Sequence, residues 1–137
     1  MAFADAQLDA KVEEGLVPVE VTLAGTVSQG DAIGYDSGWK RSLATAASVV
    51  QLRGVAAQDG VSGDIIKAYF GPTVIGGSRF SGATIGGAVY VAEGADNGKF
   101  TQTAPSTQND ATTQVGVALS ATKLLITPNA EADSVHA

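Results

Sequence analysis

The stretch GDAIGYDSGWKR, residues 30–41, reads as a turn, a short strand, a second turn and a second strand. Further along, GGAVYVAEGADNGKFT, residues 86–101, states the same theme. One offset relates Gly30 to Gly86, Ile33 to Val89 and Gly38 to Gly94, and a slightly larger one relates Gly54 in RGVAA to Gly116 in VGVAL. The difference falls in intervening loops, where changes of length cost least. Two accounts fit: an internal duplication over residues 27–71 and 83–128, or chance matches in a chain rich in Gly and Val. Each unit has about four short strands, too few to bury both faces of a sheet alone. Two units together can close a small barrel or sandwich and hide most of their edges.

Composition supports that reading. The chain has 137 residues, 45% of them hydrophobic but only 6% aromatic, with 17 glycines. Its core must come mainly from Val, Ile, Leu and Ala, and strands joined by tight turns suit the mixture better than helices. The expected fold is mainly β: a compact barrel or sandwich over residues 17–128, preceded by a short arm over 1–16 and followed by a disordered tail over 129–137.

VPVEVTL, residues 17–23, alternates apolar and polar as a half-buried strand does, with Pro18 placing it at an edge or at a strand's start. AIGY, WKRSL, VVQLRGVAA and IIKAYF supply the strands of the first unit. AVYV, KFTQT, TQVGVALS and KLLITP supply those of the second. GPTVIGGSRFSG, residues 71–82, reads as a flexible glycine-rich bridge. In the arm, Leu8, Val12 and Leu16 recur at helical spacing, with Asp5 as a cap and Gly15 and Pro18 as stops. The arm is either a frayed terminus or a segment that orders on a partner.

Little in the chain looks like chemistry. Cysteine is absent, which removes disulfides, thiolates and Cys-held metals. The single histidine, His136, falls in the tail, whereas a general base needs a fixed position. No catalytic, cofactor-binding or metal-binding residues are assigned, and no cofactor is expected. Glu20, Asp31, Asp36, Asp59, Asp64, Glu93, Asp96 and Asp110 sit nearly all beside turn residues, where carboxylates accept backbone N–H bonds. DSG and DNG lack the alternating oxygen ligands of a calcium loop, and VIGGSRFSG is neither a dinucleotide fingerprint nor a phosphate loop. Lys40 follows Trp39 in a strand, unlike the hairpin-tip lysine of a biotinyl or lipoyl carrier.

The formal charge is −6, and the eight basic residues are dispersed, so no stripe exists to bind a phosphate backbone. The N-terminus has no secretory pattern, and no apolar run approaches membrane-helix length. Manufacture in a cytoplasm as a soluble protein, with no nucleic-acid or membrane partner, is expected. Tyr35, Trp39, Tyr69, Phe70, Phe80, Tyr90 and Phe100 are expected in the core; the alternative is that one or two, Phe80 among them, anchor a subunit interface.

The series VSQGDAIGYDSGWKR, LRGVAAQDGVSGDIIKAYF, IGGAVYVAEGADNGKFT and TQVGVALS resembles tailed-phage capsid cement proteins, also called head decoration proteins. The match spans roughly residues 23–128, and its weight lies in the order of the motifs. The resemblance implies a non-enzymatic virion protein, commonly a homotrimer, on the outer surface of the head. There it would clamp neighbouring major capsid subunits against internal DNA pressure. The acidic N-terminal segment has no counterpart in the pattern. If it is an arm, Phe3, Leu8, Val12 and Leu16 are its candidate capsid or subunit contacts, with Phe80 in the body. A glycan- or surface-binding β module, like a head fibre, is the alternative, and an exposed aromatic platform around Trp39 would favour it.

Overall fold

The computed structural model describes residues 11–15, 18–45, 48–77, 80, 82–92, 98–106 and 111–128. Among these residues it forms eleven β-strands. They are β1 (Lys11–Gly15), β2 (Val19–Thr22), β3 (Ala32–Tyr35), β4 (Trp39–Arg41), β5 (Gly54–Ala56) and β6 (Ile65–Tyr69), followed by β7 (Thr73–Gly76), β8 (Ala88–Val91), β9 (Phe100–Thr101), β10 (Gly116–Ala118) and β11 (Lys123–Ile126). A five-stranded antiparallel sheet has the order β2-β6-β5-β3-β4, and a six-stranded one has the order β1-β7-β11-β10-β8-β9. The expected mainly β architecture is therefore what the chain adopts.

Apart from β1, the two sheets have one plan. Replacing β2 through β6 by β7 through β11 converts one strand order into the other. Registers agree as well. Ala32 faces Val55 and Ile33 faces Gly54; in the second sheet Ala88 faces Val117 and Val89 faces Gly116. The turns repeat too: Gly30 N–H donates to the Ala56 carbonyl, and Gly86 N–H to the Ala118 carbonyl, each at 2.8 Å. Both glycines have positive φ, 83° and 77°, a conformation that glycine enters without a Cβ penalty.

Gly54 and Gly116 explain the glycine within each GVA strand. A Cβ on Gly54 would lie 2.8 Å from the Tyr69 carbonyl oxygen, and one on Gly116 would run into the Leu125 carbonyl oxygen. Each neighbouring strand therefore approaches more closely than a side chain permits.

The five-stranded sheet curls until its edges meet. Leu23 makes a parallel bridge to Trp39, and Ala24 N–H donates to the Trp39 carbonyl at 2.7 Å. One core cluster gathers Val21, Leu23, Val27, Ile33, Ala56, Ile66 and Ala68, with Trp39 and Phe70 packed against it. The equivalents of Ile33, Ala56, Ala68 and Trp39 are Val89, Ala118, Leu124 and Phe100, all in the second and larger core cluster. Ala32, Leu52 and Val55 of the N-terminal half join that larger cluster and couple the halves.

Three sequence expectations change. Residues 11–15 form an edge strand on β7, with a bulge between Val12 and Glu14. The helical spacing fails there because pairing with β7 satisfies the backbone while Val12 packs on the core, and long-range contacts override a short periodicity. The supposed bridge contains β7, which lies between β1 and β11. Its Thr-Val-Ile run is β-branched, and Ile75 is fully buried. Finally, of VVQLRGVAA only Gly54–Ala56 is regular strand.

Candidate interaction surfaces

Among the described carboxylates one serves its own turn only, and others reach further along the chain. Asp64 accepts from the Val61 N–H at 3.0 Å, and Asp59 from the Gln29 N–H at 2.8 Å. Asp31 is different. Its side chain is 1% exposed and receives three donors: Arg41 Nε at 2.6 Å, Lys99 Nζ at 2.8 Å and the Ser28 N–H at 2.8 Å. Two cations against one buried carboxylate satisfy its desolvated charge and hold it as a fixed acceptor.

This cluster joins the halves. Asp31 and Arg41 belong to the first, Lys99 to the second. Around it, Ala32 N–H donates to the Gly98 carbonyl and Gly98 N–H to the Ser42 carbonyl, both at 2.7 Å. Sequence reading assigned Asp31 to turn chemistry only. The Ser28 N–H bond fits that role, but Lys99, 68 residues away, left no local signal. At the equivalent place in the second half, Gln102 bonds the Thr84 N–H and carbonyl, in place of Arg41 on the Ser28 hydroxyl.

Among the described residues, no group of three or more His, Cys, Asp or Glu side chains is placed to hold a metal ion. Among the same described residues, no helix is long and apolar enough to cross a membrane. His136, Glu93, Asp96 and Asp110 lie outside the described residues, as do Phe3, Leu8 and Leu16.

Of the other proposed contact residues, Val12 is half-buried in β1 and packs against the main core. Phe80 is wholly buried among Ile75, Val89 and the rest of that core. It is not an exposed anchor, since its ring lies wholly within that core.

The exposed large apolar side chains lie elsewhere. Val19, Tyr35, Val61 and Ile65 stand out on the N-terminal half, and Ile85 and Leu119 on the C-terminal half. Ile85 and Leu119 replace the equivalent Gln29 and Ala57, which are joined by a hydrogen bond from Gln29 Nε2 to the Ala57 carbonyl. Tyr35 meets Trp39 edge-on at 5.4 Å, and Trp39 meets Phe70 at 5.3 Å. Trp39 is thus held between two rings, and only Tyr35 of the three is largely exposed, at 63%. A groove of about 300 Å³ opens on the outer flank of β10 and β11, lined by Gln114, Gly116, Val117, Leu125 and Thr127.

Comparison with known protein families, curated proteins and solved structures finds no match to this chain.

Proposed function

We propose that this protein is a structural virion component of a tailed phage that binds the outside of the head and cements neighbouring major capsid subunits. The observation that carries the reading is the order of motifs over residues 23–128, which resembles head decoration proteins and falls on equivalent turns and strands of the two halves. The described surface supports it. Apolar side chains are displayed on both halves, as a protein holding several neighbours together requires. The most buried carboxylate is committed to joining the halves. A negative net charge keeps such a protein from competing for the packaged genome. In this reading the protein acts as a homotrimer, without a cofactor or catalytic step, on the expanded shell in preference to its precursor, and so stabilises that state by mass action.

The test is co-sedimentation of the purified protein with expanded heads that lack it. Saturable binding and greater resistance of the heads to heat are expected, with weak binding to unexpanded heads. Failure to bind expanded heads overturns the reading. A second reading, a glycan- or surface-binding module, draws on the exposed Tyr35 ring beside Trp39. Binding to a glycan array without binding to heads would select it.

A further inference from the structure

Asp is followed by Gly at a single place in the chain, Asp59–Gly60. The pairing is chemically labile. A glycine amide has no Cβ beside it, so its nitrogen is free to approach the preceding side-chain carboxyl and close a cyclic imide. Here both groups that would react are held apart by one short segment, Val27–Gln29. Gly60 N–H donates to the Val27 carbonyl at 3.0 Å, and Val27 N–H donates back to the Gly60 carbonyl at 2.9 Å. Asp59 Oδ1 accepts from Gln29 N–H at 2.8 Å, so the carboxyl is tied to the opposite segment and not left to its neighbour's nitrogen.

The holding segment is itself anchored. Gln29 Nε2 donates to the Ala57 carbonyl at 3.2 Å, Gly30 N–H donates to the Ala56 carbonyl at 2.8 Å, and Val27 is buried in the core of the first half. Packing also fixes the glycine. A Cβ on Gly60 would lie 2.7 Å from Leu23 Cδ1 and 2.8 Å from Ile66 Cγ2, both side chains of that core. The turn thus needs Gly60 for space and Asp59 as an acceptor, and the labile pair comes with it. Ala121 and Thr122 stand at the equivalent place in the second half.

We infer that Asp59–Gly60 is a latent site of isoaspartate formation, clamped by Val27–Gln29 and reactive when that segment lifts. In the reaction, Gly60 N gives up its proton and attacks Cγ of the Asp59 carboxyl in its protonated form. The N–Cγ bond forms, the Cγ–OH bond breaks and water leaves. Water then adds to the imide at the former main-chain carbonyl and breaks its bond to Gly60 N, which leaves the chain running through Cβ. Nothing is oxidised or reduced, and the water lost is returned. To begin, the Asp59 carboxyl must leave Gln29 and the Gly60 proton must leave the Val27 carbonyl, so the rate follows the population of the locally opened state. The product adds a methylene to the main chain, and the Val27–Gly60 bridge can no longer close in register. The change is therefore a one-way record of opening in the first half. It is independent of any binding to heads.

The test incubates the whole chain folded in buffer and unfolded in urea. Isoaspartate at position 59 is read by chromatography of proteolytic peptides and by methylation with an isoaspartyl methyltransferase and a labelled methyl donor. Peptide mapping separates this site from Asn97–Gly98, whose reaction releases ammonia and changes the mass. The unfolded chain is expected to react at least ~10-fold faster than the folded one. Gln29→Ala removes the anchor to Ala57, far in sequence from the reacting pair, and is expected to speed the folded reaction about two- to tenfold. Ile126→Val, a comparable loss in the other half's core, is expected to leave the rate unchanged. Asp59→Glu, which forces a larger ring, is expected to abolish the signal. Equal rates in the folded and unfolded chain overturn the clamp, and so does a Gln29→Ala rate equal to the wild type's. A rise in Ile126→Val as large as in Gln29→Ala assigns the reaction to global unfolding and overturns it as well. Absence of isoaspartate at position 59 in urea overturns the site itself.

Discussion

Lys99 Nζ lies 2.8 Å from Asp31 Oδ1, joining two residues from different halves of the chain at a carboxylate that is almost fully buried. Arg41 holds the other oxygen of the same carboxylate at 2.6 Å. The cations are 13% and 25% exposed, so each keeps some contact with water while the acid does not.

That asymmetry sets the order of two substitutions. Lys99→Ala leaves Asp31 with Arg41 and the Ser28 N–H, at an expected cost of about 1–2 kcal/mol. Asp31→Ala leaves two cations crowded together and frees the Ser28 N–H, at an expected cost of about 3 kcal/mol. Urea unfolding curves of the two variants check the ranking. Equal midpoints would mean that the cluster does not couple the halves.

Gly116→Ala places a methyl group against the Leu125 carbonyl oxygen, a backbone atom that cannot rotate away. An expected loss of about 3 kcal/mol follows from forcing the strands apart. Gly71→Ala is the matched control, because a Cβ there meets nothing within 4 Å. Its effect is expected to stay within about 0.5 kcal/mol. Thermal melts of both variants read the difference directly.

Phe80→Ala is expected to destabilise the protein by about 3–5 kcal/mol, as removal of a buried aromatic does. Ile65→Ala, at a side chain 65% exposed, is expected to change stability by less than about 0.5 kcal/mol. The reverse ranking would return Phe80 to the surface as a contact residue.

Removing residues 1–15 deletes β1 and bares the outer edge of β7. Lost burial of Val12 and lost ladder bonds together amount to about 2 kcal/mol. The Glu13–Lys123 contact, at 3.8 Å between largely exposed groups, adds little. Hydrogen exchange is expected to quicken at those amides of Thr73–Gly76 that face β1, and to stay slow in Gly54–Ala56. A bare edge also invites pairing with other chains, so the truncated protein is expected to aggregate more readily.

Much of the fold was legible along the chain. Alternation placed β2, and short apolar runs bounded by turn or polar-loop residues placed β3, β6, β8, β10 and β11. Such signals are local: a strand's period and a turn's backbone demands are written in neighbouring residues. The repeat could also be read, because Gly30 and Gly86 meet the same requirement for positive φ. β7 was missed because its glycine-rich surroundings hid a four-residue strand. With it went the counterpart of β2 that completes the second half's plan. β1 was misread because spacing of four over three residues cannot separate a helix from a bulged edge strand.

The sequence by itself determined a β-rich chain, with strands and turns where local chemistry demands them, and left a repeat of two units as one of two accounts. Only the tertiary structure decided which surfaces those units hide. Asp31 became a junction because Lys99 arrives from 68 residues away, and Phe80 became core because side chains of distant strands pack around it. Val55 is sealed while its counterpart Val117 is left half-open. Burial depends on which distant segments pack against a residue, and equivalent residues in a repeat carry the same local signal whether or not anything covers them.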